Sequence, residues 1–211
     1  MHIIDMTHEI KNGMMIYPGD PEIAITEGLT HERDYCHVDQ LHLNSHTGTH
    51  IDAPLHFLPE GKPITDFSAE AFLRRGIAID LRHKKASEPI TKEDLSSARL
   101  EKGEAAVLVT GWYRHFGTEE YLKHPYLSKE AAEYLVEQGV SIVAVDFLNV
   151  DQTLGDAWDA HNILLGNETF IVENLDNTFA LTFETSYLFS FLPLKILGTD
   201  GSPIRAVAIE E

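Results

Sequence analysis

The chain has 211 residues, of which 43% are hydrophobic and 24% charged, and these proportions exclude a disordered or fibrous protein. Its 34 acidic and 16 basic residues give a formal net charge of −18, which repels a phosphate backbone and an anionic membrane surface. We therefore expect neither nucleic acid nor a membrane as a partner.

Nothing in the sequence marks a boundary between domains. There is no Gly/Ser tract, low-complexity run or charge block, so we expect one domain that covers residues 1–211. No apolar run approaches the roughly 18 residues that span a bilayer, and the start, MHIIDMTHEIK, does not resemble a secretory signal. The single cysteine, Cys36, excludes an internal disulfide and is expected to be a buried small hydrophobe. These features predict a cytoplasmic protein.

The first part of the chain alternates short strands with turns. The segments HIIDM (2–6) and PEIAIT (21–26) are predicted strands, and YPGD (17–20) between them marks a tight turn. The segment VDQLHLNSHTGTHID (38–52) alternates through Leu41 and Leu43, which predicts a half-buried strand. A loop rich in Pro and Gly, PLHFLPEGKP, follows.

From residue 76 onward, strands alternate with helices. The predicted elements are strand GIAIDL (76–81), a helix near 92–101, strand AAVLVT (105–110), a helix near 129–138 and strand SIVAVDF (141–147). Thr91 and Asp94 form a candidate capping box, and Ser128 and Gly139 mark the ends of the second helix. The β-α-β-α-β order predicts parallel strands covered by helices. With the strand-rich tail (FALTF, SYLFSFLPLKIL and PIRAVAI), the fold class is α/β, with a mixed, partly barrel-like sheet flanked by helices.

Residues 46–56, HTGTHIDAPLH, carry three histidines and one aspartate at even positions. In a straight strand, His46 and His50 lie about 13 Å apart, too far for both rings to bind one ion. A helix brings them together, but TGT and the residues that follow are poor helix formers. A strand that bends at Gly48 lets both rings converge. Asp52 then adds a carboxylate, and the intervening proline holds His56 at a defined offset.

A metal site needs further ligands from elsewhere in the chain. His161 in DAHNILL and Glu173 in FIVENL are titratable groups in apolar sequence, shortly after the third parallel strand, where sites of α/β folds gather. Spacing alone does not choose among the acidic residues of the same region, Asp146, Asp151, Asp156 and Asp159.

The segment HTGTHIDAPLHF is similar to the H-x-G-T-H-x-D-x-P-x-H-F signature of the cyclase-like metal-dependent hydrolases, which include bacterial kynurenine formamidases and isatin hydrolases. The blocks IYPGD, TGW, DAHNILLGNETFIVENL and PLKILGTDGSPIRAVAI also resemble family segments, so the resemblance covers essentially the whole chain. It implies a binuclear metal site, bridged by the two carboxylates, whose ligands are His46, His50, Asp52, His161 and Glu173. His56 corresponds to a catalytic histidine rather than a ligand.

The nitrogen and oxygen donors of this set suit two divalent ions, with Zn²⁺ favoured and Mn²⁺ as the alternative. The resemblance implies hydrolysis of an amide C–N bond, in an N-formyl aryl amine such as N-formylkynurenine or in a cyclic amide or imide, with His56 as general acid/base. Related formamidases tend to carry a serine near the position of Asn149, a departure that leaves the substrate open.

Aromatic residues available to line a substrate pocket are Tyr17, Phe57, Trp112 and Trp158. Two alternatives to hydrolysis stay open: a metal-dependent cyclase or lyase that acts without net hydrolysis, and a non-catalytic metal-binding module. The resemblance also implies a homodimer or homotetramer. The apolar run SYLFSFLPLKIL is expected either to lie centrally in the sheet or to cover another subunit.

Overall fold

A computed structural model describes residues 2–183 and 185–210, and a nine-stranded mixed sheet forms its centre. The strands are β1 (His2–Asp5), β2 (Ala24–Leu29), β3 (Val38–His42), β4 (His50–Asp52), β5 (Leu73–Asp80), β6 (Pro89–Ile90), β7 (Ala105–Val109), β8 (Tyr126–Leu127), β9 (Ile142–Val145), β10 (Phe170–Glu173), β11 (Ser186–Ser190), β12 (Gly201–Pro203) and β13 (Val207–Glu210). The α-helices are α1 (His31–Asp34), α2 (Lys92–Leu95), α3 (Lys129–Glu137) and α4 (Asp159–Gly166). Turns of 3₁₀-helix occur at Pro54–His56, Ile64–Asp66, Ala69–Phe72, Trp112–His115, Glu119–Lys123 and Thr178–Ala180.

The strand order of the main sheet is β1-β13-β11-β5-β7-β9-β10-β4-β12. The four central strands β5, β7, β9 and β10 are parallel, and the strands on either side of them are antiparallel. The sheet curls part of the way towards a barrel. The predicted α/β fold with a mixed, partly barrel-like sheet is therefore confirmed. No helix within the described residues has the length and apolar character needed to cross a lipid bilayer.

Buried apolar residues cover both faces of the sheet. Alternate residues of β7 divide between two clusters: Ala105, Val107 and Val109 belong to one, and Ala106 and Leu108 to the other. Such continuous apolar strands are typical of parallel sheets that are buried on both sides. Helices pack on the second face through residues that include Leu95, Leu135 and Leu164. Burial of each leucine side chain stabilises the fold by roughly 1.5–3 kcal/mol.

Local signals place the ends of the helices. The hydroxyl of Ser128 accepts a hydrogen bond from Ala131 N–H (3.2 Å) at the start of α3, and Gly139 takes a φ of +76° just after its end. Thr91 and Asp94 form the predicted capping box. Helix α2 is only four residues long, however, instead of reaching residue 101.

The prediction of one strand over residues 38–52 is wrong. Strand β3 pairs with β2 in a separate hairpin, whereas β4 lies between β10 and β12 in the main sheet. Leu41 is exposed in this hairpin. The alternation of apolar and polar residues in this part of the sequence therefore does not mark a buried face. The expectation of a buried Cys36 is wrong for the same reason, since this residue is exposed in the hairpin loop.

The strand-rich tail is only partly strand. FALTF begins with a 3₁₀ turn, held by a hydrogen bond from Thr178 Oγ1 to Asp146 (2.8 Å). Strand β11 lies inside the sheet between β5 and β13, while exposed apolar side chains follow it at Leu192, Leu194, Ile196 and Leu197. The expectation of a central position in the sheet is thus confirmed for β11, and the expectation that the run covers another subunit stays a prediction for the exposed residues after it. Subunit contacts commonly cover such surfaces, and the homo-oligomer stays a prediction.

The buried carboxylate of Asp146 joins the ends of β7 and β9. It accepts hydrogen bonds from the backbone N–H groups of Thr110 (3.1 Å) and Gly111 (2.7 Å) and from the hydroxyls of Thr110 (2.5 Å) and Thr178 (2.8 Å). The TGW block is therefore a structural clasp, because its first two residues bind the aspartate that follows β9.

We expect Asp146→Asn to lower the free energy of unfolding by about 2–3 kcal/mol, because the amide NH₂ faces donors and leaves buried groups unpaired. Denaturant-induced unfolding measures this loss. The exposed Asp156 supplies the control, since Asp156→Asn should change stability by no more than about 0.5 kcal/mol. Equal stability of both variants and the wild type would contradict a stabilising role for the clasp.

Candidate metal centre

One histidine and two carboxylates meet where β4 pairs with β10. The antiparallel register sets His50 opposite Glu173, with Asp52 two residues further along β4. Because side chains alternate along a strand, these three share one face while Ile51 packs into the core on the other. His50 Nε2 lies 3.3 Å from Asp52 Oδ1 and 3.5 Å from Glu173 Oε2.

A turn before β4 brings His46 to the same place. Gly48 takes a φ of +62°, and the ring centroids of His46 and His50 lie 5.0 Å apart. The Gly48 carbonyl accepts a hydrogen bond from His50 Nδ1 (2.8 Å), so His50 carries its proton on Nδ1 and presents Nε2 to the carboxylates. Nδ1 of His46 lies 2.8 Å from Asp52 Oδ1. The predicted bend at Gly48 therefore occurs, in a turn rather than within a strand.

Helix α4 supplies His161. Its Nε2 lies 3.6 Å from Glu173 Oε1 and 3.9 Å from Asp52 Oδ2, and its Nδ1 lies 2.7 Å from Asp151 Oδ2. The Asp151 carboxylate also accepts hydrogen bonds from the first turn of the helix. Asp151 thus orients the imidazole, a task that carboxylates commonly perform for metal-binding histidines.

The donor set fits a divalent cation. Asp52 is fully buried, and its Oδ2 has no hydrogen-bond partner among the described residues, an arrangement that is costly unless a cation compensates it. Within the part of the chain that the structure describes, two groups have ligand atoms within 4.8 Å of one another, one formed by His46, Asp52 and His56 and the other by His50, Asp52 and Glu173. Asp52 belongs to both groups. Imidazole nitrogen and carboxylate oxygen are donors that Zn²⁺ and Mn²⁺ accept.

The pKa shifts within the cluster also show that its carboxylates favour a positive charge beside them. Burial opposes protonation of His46, but the charge of Asp52 and the hydrogen bonds to Asp200 and Asp52 raise its pKa to about 9. Burial likewise opposes protonation of His50, yet Asp52 and Glu173 raise its pKa well above the ordinary value. For Asp52, burial favours the neutral acid, but His50 and His46 hold the pKa well below its usual range. A metal ion bound here would supply the same charge and would displace these protons, because ligands bind deprotonated.

His56 ends a 3₁₀ turn and stands beside His46, with ring centroids 4.0 Å apart. Its Nδ1 lies 3.1 Å from Asp200 Oδ2, and His46 Nε2 lies 2.9 Å from the same oxygen. Hydrogen bonds with His46 and then His56 hold the pKa of Asp200 well below its usual range. Sequence reasoning missed Asp200, which lies far along the chain from the histidine motif. Its only signal is its place within the LGTDGSP block.

A cavity of about 180 Å³ opens beside this cluster. Three of the four predicted pocket aromatics line it: Tyr17, Phe57 and Trp158. The Phe57 ring stacks on His161 with centroids 4.3 Å apart. Apolar lining residues that sequence reasoning missed are Met15, Ile16 and Leu148, and the polar lining includes Asp20 and Asn149.

Trp112 does not line this cavity, so the expectation for this residue is not met. Its ring packs in the apolar cluster on the face of the sheet that the helices cover, and its indole N–H donates to the carbonyl of Tyr121 (3.2 Å). The chain turns directly before this residue, where Gly111 takes a φ of +77° and the Trp112 N–H donates to Thr110 Oγ1 (3.2 Å).

Comparisons with known proteins agree with this architecture. The family model described as "Putative cyclase" matches residues 4–152. A kynurenine formamidase from Bacillus cereus is 32% identical over 208 residues, 97% of this chain and 95% of the relative. Isatin hydrolase A from Labrenzia aggregata, solved with benzyl benzoate, superposes with a TM-score of 0.89 at 23% identity, over 100% of this chain and 94% of that one. A predicted metal-dependent hydrolase from Bacillus stearothermophilus gives a TM-score of 0.82 at 25% identity, over 98% and 97% of the two chains. Since the family model and a relative that spans nearly the whole sequence agree, the chain belongs to the cyclase family.

Proposed function

We propose that this protein is a metal-dependent amidohydrolase that cleaves an amide C–N bond. An N-formyl aryl amine is the first candidate substrate, and a cyclic amide or imide is the second. The observation that carries the proposal is the buried cluster of histidines and carboxylates that opens onto an aromatic-lined cavity. The 32% identity to a kynurenine formamidase over almost the whole chain supports the reaction class.

The residues that would hold two divalent ions, preferably Zn²⁺, in this proposal are His46, His50, Asp52, His161 and Glu173, and Asp52 is the member common to both donor groups. Divalent ions bound there would supply Lewis-acid chemistry, which polarises an amide carbonyl and lowers the pKa of a water molecule. The carboxylate of Glu173 is held for this task by a hydrogen bond from Val150 N–H (2.8 Å).

The chain's own residues handle the proton and the substrate. His56 accepts a proton from water as the oxygen adds to the carbonyl carbon, and it delivers that proton to nitrogen as the C–N bond breaks. For an N-formyl aryl amine the products are formate and the free aryl amine. Tyr17, Phe57 and Trp158 contact the aromatic ring, and their packing around the cavity excludes bulk water.

The cavity argues against a closed, non-catalytic metal-binding module, because histidines of the cluster form part of its wall. A cyclase or lyase is the remaining alternative, since the same groups can polarise a carbonyl and move protons on carbon without consuming water.

We expect turnover of N-formylkynurenine or isatin in H₂¹⁸O to place one labelled oxygen in the acid product, because hydrolysis adds water to the carbonyl carbon. Mass spectrometry of the product measures the label, and enzyme stripped with a chelator serves as the control. Turnover without incorporation of label would favour the cyclase or lyase. Inertness of protein with measured metal content towards formamides, isatin and cyclic imides would contradict the proposed function.

A further inference from the structure

One oxygen of Asp200 is shared by two histidines. Oδ2 lies 2.9 Å from Nε2 of His46 and 3.1 Å from Nδ1 of His56. A carboxylate oxygen only accepts hydrogen bonds, so in both pairs the imidazole nitrogen is the donor. Charge-assisted bonds of this kind are stronger than neutral ones and fix the rings that donate them.

The backbone fixes Asp200 beside these rings. Its carbonyl accepts a hydrogen bond from Ala53 N–H (2.8 Å), and the next residue, Gly201, pairs with Asp52 where β12 meets β4. A Cβ on Gly201 would lie 2.7 Å from the carbonyl oxygen of Ile51 and 3.2 Å from Cε1 of His46. Glycine therefore permits the close approach of β12 to β4 that carries the Asp200 carboxylate to the histidines.

The hydrogen bond at Nδ1 selects one neutral form of His56. With its proton on Nδ1, the ring keeps its free lone pair on Nε2, the nitrogen that Asp200 does not contact. His56 lines the cavity, whereas Asp200 is not part of the cavity wall. The two histidines that Asp200 contacts therefore lie between its carboxylate and the cavity.

We propose that Asp200 is a positioning residue that holds His56 in the Nδ1–H form and in the orientation required for proton transfer at Nε2. The inference rests on the proposed function, because that function gives His56 its acid–base role. The arrangement resembles the aspartate–histidine pair of serine hydrolases, in which the carboxylate fixes the tautomer and the ring moves the proton.

The test compares Asp200→Asn with the wild type as metal-loaded enzyme. A neutral amide is a weaker acceptor than a carboxylate, and its NH₂ group favours the opposite tautomer. We expect kcat to fall roughly 10- to 100-fold, which is part of the roughly 10²- to 10⁴-fold contribution of an acid–base group, with little change in KM or in metal content. In a His56→Ala background, Asp200→Asn should cause little or no further loss, since coupled residues are not additive. The exposed Asp66 supplies the control variant, Asp66→Asn.

Nitrogen-15 NMR of the zinc-loaded protein gives a readout that does not depend on turnover. The wild type should show His56 protonated at Nδ1, and Asp200→Asn should shift the population away from this form. Equal losses of kcat in both backgrounds, loss of metal from Asp200→Asn, or an unchanged tautomer would each overturn the inference. If the wild type hydrolyses no amide, the proposed function fails, and the tautomer measurement still decides the role of Asp200.

Discussion

His56→Ala is expected to retain its metal and to lose kcat by a factor of about 10² to 10⁴, the usual contribution of a general acid–base group. The test distinguishes two roles, because His56 belongs to a donor group with His46 and Asp52 and its ring is close enough to be a metal ligand instead. Its Nδ1 contacts Asp200, however, and the five proposed ligands remain for the two ions. Elemental analysis and steady-state kinetics on the same preparation separate the two roles.

The matched control for His56→Ala is His83→Ala, which removes an exposed histidine whose ring contacts Asp94. It should leave both metal content and kcat unchanged. If His56→Ala loses metal in proportion to its activity, His56 is a ligand and the proton-transfer role assigned to it is wrong. The KM of His56→Ala provides a second check, because loss of an acid–base group lowers kcat with little change in KM.

Local sequence patterns predict three of the four parallel strands of this fold, β5, β7 and β9, but not β10. The segments at 76–81, 105–110 and 141–147 are apolar on both faces, and that pattern requires burial on both sides. Helix α3 is predicted equally well, because Ser128 and Gly139 mark its ends through backbone geometry that acts within a few residues.

Prediction fails where long-range pairing decides the outcome. Alternation over residues 38–52 is the same for one strand as for two, and only tertiary context places β3 in a hairpin and β4 between β10 and β12. Asp200 shows the same limit, since it meets His46 and His56 only because β12 returns to β4. The resemblance to a known family assigns the five predicted ligands to one site. Spacing alone does not distinguish His161 and Glu173 from the other titratable residues of the same region.

Asp52→Asn should deplete the protein of metal more completely than any other single substitution of a predicted ligand. Asp52 is the member common to both donor groups, whereas Glu173 belongs to one of them. We expect Glu173→Gln to lose metal from one position and to keep part of the load, while Asp52→Asn loses both. The asparagine keeps the volume of a fully buried side chain but removes the charge that offsets the cations.

Elemental analysis after dialysis against a fixed low concentration of free Zn²⁺ measures the ratio of metal to protein. Asp156→Asn is the matched control, because Asp156 lies in the acidic loop before α4 but is exposed. Circular dichroism establishes that each variant is folded, so that a low metal content reports binding rather than misfolding. The graded loss is expected because Asp52 belongs to both donor groups and Glu173 to one. Equal depletion in Asp52→Asn and Glu173→Gln would contradict this difference and give Glu173 the same share in metal binding as Asp52, and a full metal load in Asp52→Asn would mean that this carboxylate is not a ligand.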